Sequence, residues 1–295
     1  MASAPSYTSE KIDASVTRIN GRGNVCCFLI EGKARALLID TTAGIGDIRS
    51  FCESLTSLPI IVVITHGHMD HGGGAFVFDE VFIHPADADL LYEHGAVDRR
   101  IGFIKRDPNA VIRDGEDIAP PRKIVTHPIE EGYCFDLGDR TFEVIHTPGH
   151  TRGTICLLDR KNRLLFSGDA CNQFTLVFFE HSTSIEEFRI SVLKLKKLQS
   201  EYDYYFTFHG PSPIPLSCVD DVLEICDEIL AGKNTGVEID RFGTKVLLAK
   251  PMDGSFRRLD GKIGNVVYLK EKVWKKCRTS DLRHDGQTQA NFNMG

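Results

Sequence analysis

At 295 residues the chain can bury a substantial core, as one large domain or two modest ones. Its 42% hydrophobic and 26% charged residues point to neither disorder nor a membrane class, and no apolar run reaches the roughly 18 residues needed to span a bilayer. A formal charge of −6 offers phosphate backbones no general attraction, which disfavours nucleic acid as a partner while leaving a local basic patch open.

The first dozen residues are polar and read as frayed. The opening seven lack the basic region and apolar block of a secretory leader, so the nine scattered cysteines read as reduced thiols in a cytoplasmic protein. Residues 15–19, 25–32 and 36–40 are expected to form an antiparallel meander with a turn at Asn20-Gly21-Arg22-Gly23. Its third strand runs into Asp40. The spacing of Ile48, Phe51, Cys52 and Leu55 predicts a helix over 47–55. The β-branched run 58–64 reads as a buried strand. A short strand within 77–83 and a helix opened by Pro85 follow. Residues 92–127 are the least patterned, carry Arg99, Arg100, Lys105, Arg106 and Arg113, and read as a partly helical, lid-like insertion.

A second meander is expected over 133–137, 141–146, 155–158 and 163–167. Ser184 can cap an amphipathic helix over 185–198, with acids in its first turn and lysines toward its end. A strand at 204–208, a helix at 218–230 and late strands at 237–239, 245–248 and 265–269 precede a polar tail, 276–295, that reads as flexible. Two halves of one style predict two sheets packed face to face with helices outside, in a single domain over residues 1–275.

The chemistry gathers at Thr65-His66-Gly67-His68-Met69-Asp70-His71, directly after the buried strand. In extended backbone His66 and His68 point the same way and can address one metal. A turn after His68 brings Asp70 and His71 toward a second position, and Gly72-Gly73-Gly74 permits the tight bend. His150, Asp169 and His209 are ligand types at the ends of predicted strands, each beside a glycine. Taken singly, Asp169 has a bland reading as a turn residue and His150 as a satisfied loop histidine. Taken with the histidine run, the bland account needs several coincidences. The apolar run Phe174-Thr175-Leu176-Val177-Phe178-Phe179 reads as a core or dimer-interface strand. A sharper alternative makes Phe174 and Phe178, with Tyr92, Phe103 and Ile104 of the insertion, an apolar wall for an acyl chain. His181, just after the run, joins that candidate substrate wall, while His84, His94, His127, His146 and His284 read as structural or surface positions.

In order and spacing, His66-x-His68-x-Asp70-His71, Thr147-Pro148-Gly149-His150, Asp169 and His209, with Asp40 upstream, resemble the metallo-β-lactamase fold superfamily over about residues 12–270. The variation within the motif resembles its glyoxalase II and lactonase type. Asp169 stands where typical zinc β-lactamases carry cysteine, and His68 where the diiron oxygen-reducing members carry glutamate. The resemblance implies an α/β fold, an αββα sandwich of two mixed sheets with the site at one edge between them. It implies one metal on His66, His68 and His150, a second on Asp70, His71 and His209, Asp169 bridging both, and Asp40 fixing a ligand imidazole from behind. On sequence alone Asp40 is as readily a turn residue. Two zinc ions suit such a set, with iron or manganese open. The implied activity is a dinuclear metal-dependent hydrolase using a metal-bridging hydroxide, oriented by Asp70 as catalytic carboxylate, on a small ester, thioester or lactone. An RNA- or phosphodiester-processing metallohydrolase and an iron-dependent persulfide dioxygenase of the same fold are the alternatives. A small-molecule substrate and no membrane partner are expected, and a homodimer is left open.

Overall fold

The computed structural model describes residues 6–107, 112 and 117–276. Arg113 of the insertion and the tail after Lys276, with His284, lie outside the described residues.

Seven strands pair in chain order to make the first sheet. They are β1 (Thr8–Lys11), β2 (Val16–Asn20), β3 (Cys26–Glu31), β4 (Ala36–Ile39), β5 (Ile60–Ile64), β6 (Glu80–Ile83) and β7 (Val125–Pro128). The meander β1 to β4 is antiparallel. From β4 onward the pairing is parallel, because α1 (Ile48–Leu55) crosses from β4 to β5. The Asp47 side chain caps α1 by accepting from the Ser50 amide. β1 corrects the expectation of a frayed start. All four of its residues are exposed, so its pairing with β2 rests on backbone bonds that leave no hydrophobic trace in the sequence.

The second sheet holds the expected second meander, β8 (Cys134–Asp136), β9 (Thr141–His146), β10 (Ile155–Asp159) and β11 (Leu164–Phe166). Parallel to β11 lies a later strand, Tyr204–Phe206. The two sheets face each other over a shared core in which Phe28 of β3 meets Phe166, Phe206 and Phe208 at ring separations of 5.0, 5.5 and 5.1 Å. Ile48 and Cys52 of α1 cover the outer face of the first sheet. Two further helices, Ile185–Lys197 and Ser217–Leu230, cover the second. The first of these begins with a full capping box between Ser184 and Glu187.

The expected sandwich of two sheets with helices outside is present, and the late strands join neither sheet. They form a third, four-stranded sheet with β12 (Thr175–Val177), a strand inside the apolar run after Asp169. With Tyr204–Phe206 counted as β13, its members run in the order β12, β16 (Val266–Tyr268), β15 (Thr244–Leu248) and β14 (Val237–Arg241), with β12 and β16 parallel.

Between α1 and the second meander lie α2 (Met69–Gly72), α3 (Ala88–His94) and α4 (Val97–Ile104). The insertion is docked rather than free-standing over its described part. Arg100, one of the insertion's basic residues, is fully buried and donates to the carbonyls of Gly44, Gly73 and Ala119. No helix among the described residues is long and apolar enough to cross a membrane, and the described cysteines form no disulfide.

Candidate metal centre

β4, β5 and β11 lead toward one edge of the sandwich and deliver Asp40, the His66–His71 segment and Asp169 to it. Three ligand-type groups converge there: His66, His68 and His150; His66, His71 and Asp169; and Asp70, His71 and His209. Within each group the candidate ligand atoms lie within 4.8 Å of one another. Asp169 Oδ2 sits 3.5 Å from His150 Nε2, 3.7 Å from His71 Nε2 and 3.6 Å from His209 Nε2, so one carboxylate oxygen reaches both halves of the cluster.

Each of the five histidines has one ring nitrogen engaged from behind. Asp40 accepts from His71 Nδ1 at 2.7 Å. Thr65 Oγ1, itself donating to Asp40 at 2.8 Å, lies 3.1 Å from His66 Nδ1. The Leu176 carbonyl accepts from His150 Nδ1 at 2.7 Å, and the Asn24 carbonyl accepts from His209 Nδ1 at 3.0 Å. His181 Nε2 lies 2.5 Å from His68 Nε2. Backing of this kind fixes tautomer and ring direction for metal ligation.

The inward nitrogens are then the positions left to a metal, those of His66, His68 and His150 with lone pairs free and those of His71 and His209 once a metal displaces their protons. His68 Nδ1 faces His150 Nε2 at 2.8 Å, and His71 Nε2 faces His209 Nε2 at 3.2 Å. His66 Nε2 is buried with no hydrogen-bond partner. Lone pairs converging in a buried space repel unless a cation lies among them, so this donor set fits divalent metal. Burial and the neighbouring imidazoles hold His66 and His68 well below the usual histidine range, in the neutral form that ligation requires. Burial pulls His71 down too, but Asp169 and Asp40 outweigh it and lift it to about 9. Burial raises Asp70, and the His209 bond with the His71 and His209 charges overturns that, holding it well below the usual carboxylate range.

Asp40 is fully buried at φ 64°, a left-handed conformation that strains a non-glycine residue by roughly 1 kcal/mol or more. The strain places its carboxylate behind two ligand imidazoles at once, directly at His71 and through Thr65 at His66. In Asp40→Asn the amide nitrogen would meet the His71 Nδ1 proton and force that proton onto the inward nitrogen. Metal affinity and turnover are expected to fall about 10–100-fold, measured by metal titration and initial rates on one preparation. Wild-type affinity would refute the assignment.

Two residues unmarked in the sequence complete the setting. Asp87 stands at the N-cap of α3 but its side chain makes no capping bond. Its carboxylate accepts from the Gly67 amide (2.9 Å), the Gly153 amide (2.7 Å) and Thr151 Oγ1 (2.6 Å), tying the His66–His68 segment to the His150 turn. A Cβ at Gly153 would stand 2.6 Å from Asp87 Oδ1, which is why glycine is needed there. His94, read as structural, stacks on His68 with ring centres 5.1 Å apart.

Of the candidate substrate wall, His181 reaches the site. The others pack chiefly against residues that are not candidate ligands. Tyr92 and His94 are two apart on α3 and so lie on opposite faces. Tyr92 packs on Phe76 and bonds the Ile124 carbonyl. Phe103 and Ile104 pack with Ala43 and Ile45. Phe178 sits in the cluster of the third sheet with Val246, Leu248 and Val267, and Phe174 packs on Phe256. The aromatic at the site is the next residue in the run, Phe179, with its ring 5.2 Å from His68 and stacked on His181 at 5.3 Å.

The comparisons agree with this geometry. The family model of the metallo-beta-lactamase superfamily matches residues 20–205. An acyl-coenzyme A thioesterase MBLAC2 of Gallus gallus is 32% identical over 193 residues, covering 60% of this chain and 68% of that protein. The Homo sapiens protein of the same name is 29% identical over 171 residues, or 53% and 61% of the two chains. A beta-lactamase-like protein 2 homolog of Caenorhabditis elegans is 28% identical over 75% of this chain and 68% of its own. Among solved structures, a metallo-beta-lactamase from Pontibacter korlensis superposes with a TM-score of 0.57 at 17% identity, over 75% of this chain and 99% of that one. At that identity the likeness speaks for the fold alone. The chain belongs to the metallo-beta-lactamase superfamily.

Proposed function

We propose that the protein is a metal-dependent thioester hydrolase acting on acyl-coenzyme A. The observation that carries metal dependence is the set of five imidazoles braced from behind with their other ring nitrogens turned inward. The thioester rests on the relatives named acyl-coenzyme A thioesterase, and it lies within the ester, thioester and lactone class expected from the motif. His66, His68 and His150 would hold one ion, Asp70, His71 and His209 a second, with Asp169 common to both, and zinc suits this nitrogen-rich set. Divalent cations bound there would supply Lewis-acid polarisation of the acyl carbonyl and a lowered pKa for water.

In the reaction, water oxygen forms the new bond to the acyl carbon, the carbon–sulfur bond breaks, and the coenzyme departs as a thiol. Asp70, kept ionised by His209 and His71, is the carboxylate placed to orient the attacking water and take up its proton. His68 Nε2–H donates to His181, which fixes the ring that carries the inward Nδ1. Phe179 covers the His68 and His150 edges and limits bulk water at the acyl carbon.

Metal-loaded protein is expected to release free thiol from acyl-coenzyme A, and to lose that activity with a chelator and regain it with added zinc. A lactone and a phosphodiester run in parallel. Thiol release absent at every acyl length, with turnover of either of the others, would overturn the proposal.

A further inference from the structure

The mouth of the site carries a second, charged feature. The hairpin between β14 and β15 ends in Arg241 and Phe242, and Phe242 stacks on Phe179 with ring centres 6.2 Å apart. Phe179 in turn lies against His68, so the hairpin tip is two ring contacts from the candidate metal ligands. Two guanidiniums converge on the Phe242 ring, Arg106 from just past α4 at 4.2 Å and Arg241 at 4.5 Å. Arg241 also lies over Phe174 at 5.3 Å. Arg241 Nε is buried with no hydrogen-bond partner. Burial and the Arg106 charge together press the Arg241 guanidinium below its usual range. Ring faces offset part of that cost by cation–π attraction, a contact that itself occupies none of the in-plane N–H donors of a guanidinium fork.

Two like charges held side by side can bind an anion between them, and a planar fork matches phosphate in particular. We infer that Arg106 and Arg241, held on Phe242, form a phosphate-binding clasp that reads the nucleotide end of the substrate while its acyl carbon lies at the metal ligands. The inference rests on the thioesterase reading for the identity of the ligand. An extended pantetheine arm, with peptide-like dimensions, spans about 15 Å, which suits a clasp removed from the ligands by two ring contacts.

The test uses the full chain, metal-loaded, as wild type, as R106A/R241A and as F242A. Adenosine 3′,5′-bisphosphate is the binding probe, followed by calorimetry. Acyl-coenzyme A, the matching acyl-glutathione and the matching acyl-N-acetylcysteamine are the kinetic probes. In the double variant we expect KM for acyl-coenzyme A to rise at least tenfold and bisphosphate binding to weaken equally. kcat/KM for the uncharged cysteamine thioester should stay within about twofold of wild type. F242A should shift both readouts the same way by a smaller factor. Equal bisphosphate affinity in wild type and variants, or no binding to wild type, overturns the clasp. A loss on acyl-glutathione as large as that on acyl-coenzyme A overturns phosphate as the ligand in favour of carboxylate. Absence of thiol release from all three substrates in wild type, with bisphosphate binding intact and arginine-dependent, sinks the thioesterase reading and leaves the anion clasp standing.

Discussion

Asp169→Ala is expected to lower turnover on the order of a thousandfold or more, about 4 kcal/mol of transition-state stabilisation. One Asp169 oxygen lies within 3.7 Å of inward nitrogens from both halves of the cluster. Its removal takes the shared anionic donor from both candidate ions and leaves Asp70 as the one carboxylate among the candidate ligands opposite two dications. Metal content should drop in step with activity. Elemental analysis and thiol release on the same sample check both. A variant that keeps full metal and full rate would show that the carboxylate does not bridge.

Asp87→Ala should damage stability and activity together, though Asp87 is itself no candidate ligand. Truncation leaves the Gly67 and Gly153 amides buried without an acceptor, at about 1–3 kcal/mol each, and frees the Thr151 hydroxyl. A loss of about 4 kcal/mol corresponds to a melting temperature lower by roughly 10 °C. The segment carrying His66 and His68 and the turn carrying His150 would also lose their common anchor, so turnover should fall about 10–100-fold even well below the melting point. Asp87→Asn, which keeps one acceptor oxygen, should fall between. Thermal melts with rates at low temperature separate the two effects, and a wild-type melt with wild-type turnover would refute the role.

The candidate ligand residues were legible because ligation demands particular side chains, and crowding them at strand ends next to glycines leaves a signature in the primary structure. The flanking meanders and the helix capped by Ser184 were legible from alternation and capping, which are local. Asp87 was not, because its three bonds reach partners 20, 64 and 66 positions away and its local setting is that of a helix start. His94 and Phe179 share that difficulty. An aromatic or imidazole ring on an apolar stretch looks the same whether it meets the core or the site, and the one-residue step from Phe178 to Phe179 decides which. The third sheet escaped because β12 and β16 are only three residues each and pair in parallel across some ninety positions.

That long-range pairing bears on how the protein can be taken apart. The carbonyl that orients His150 belongs to Leu176, in the middle of β12, and β12 is braced by β16. β16 lies well past residue 205, where the match to the family model stops. A fragment trimmed to the matched stretch would retain every candidate ligand except His209, yet it would also strip away the brace behind His150. The terminal third of the polypeptide is thus no dispensable appendix to the reaction centre, but a splint for one of its walls.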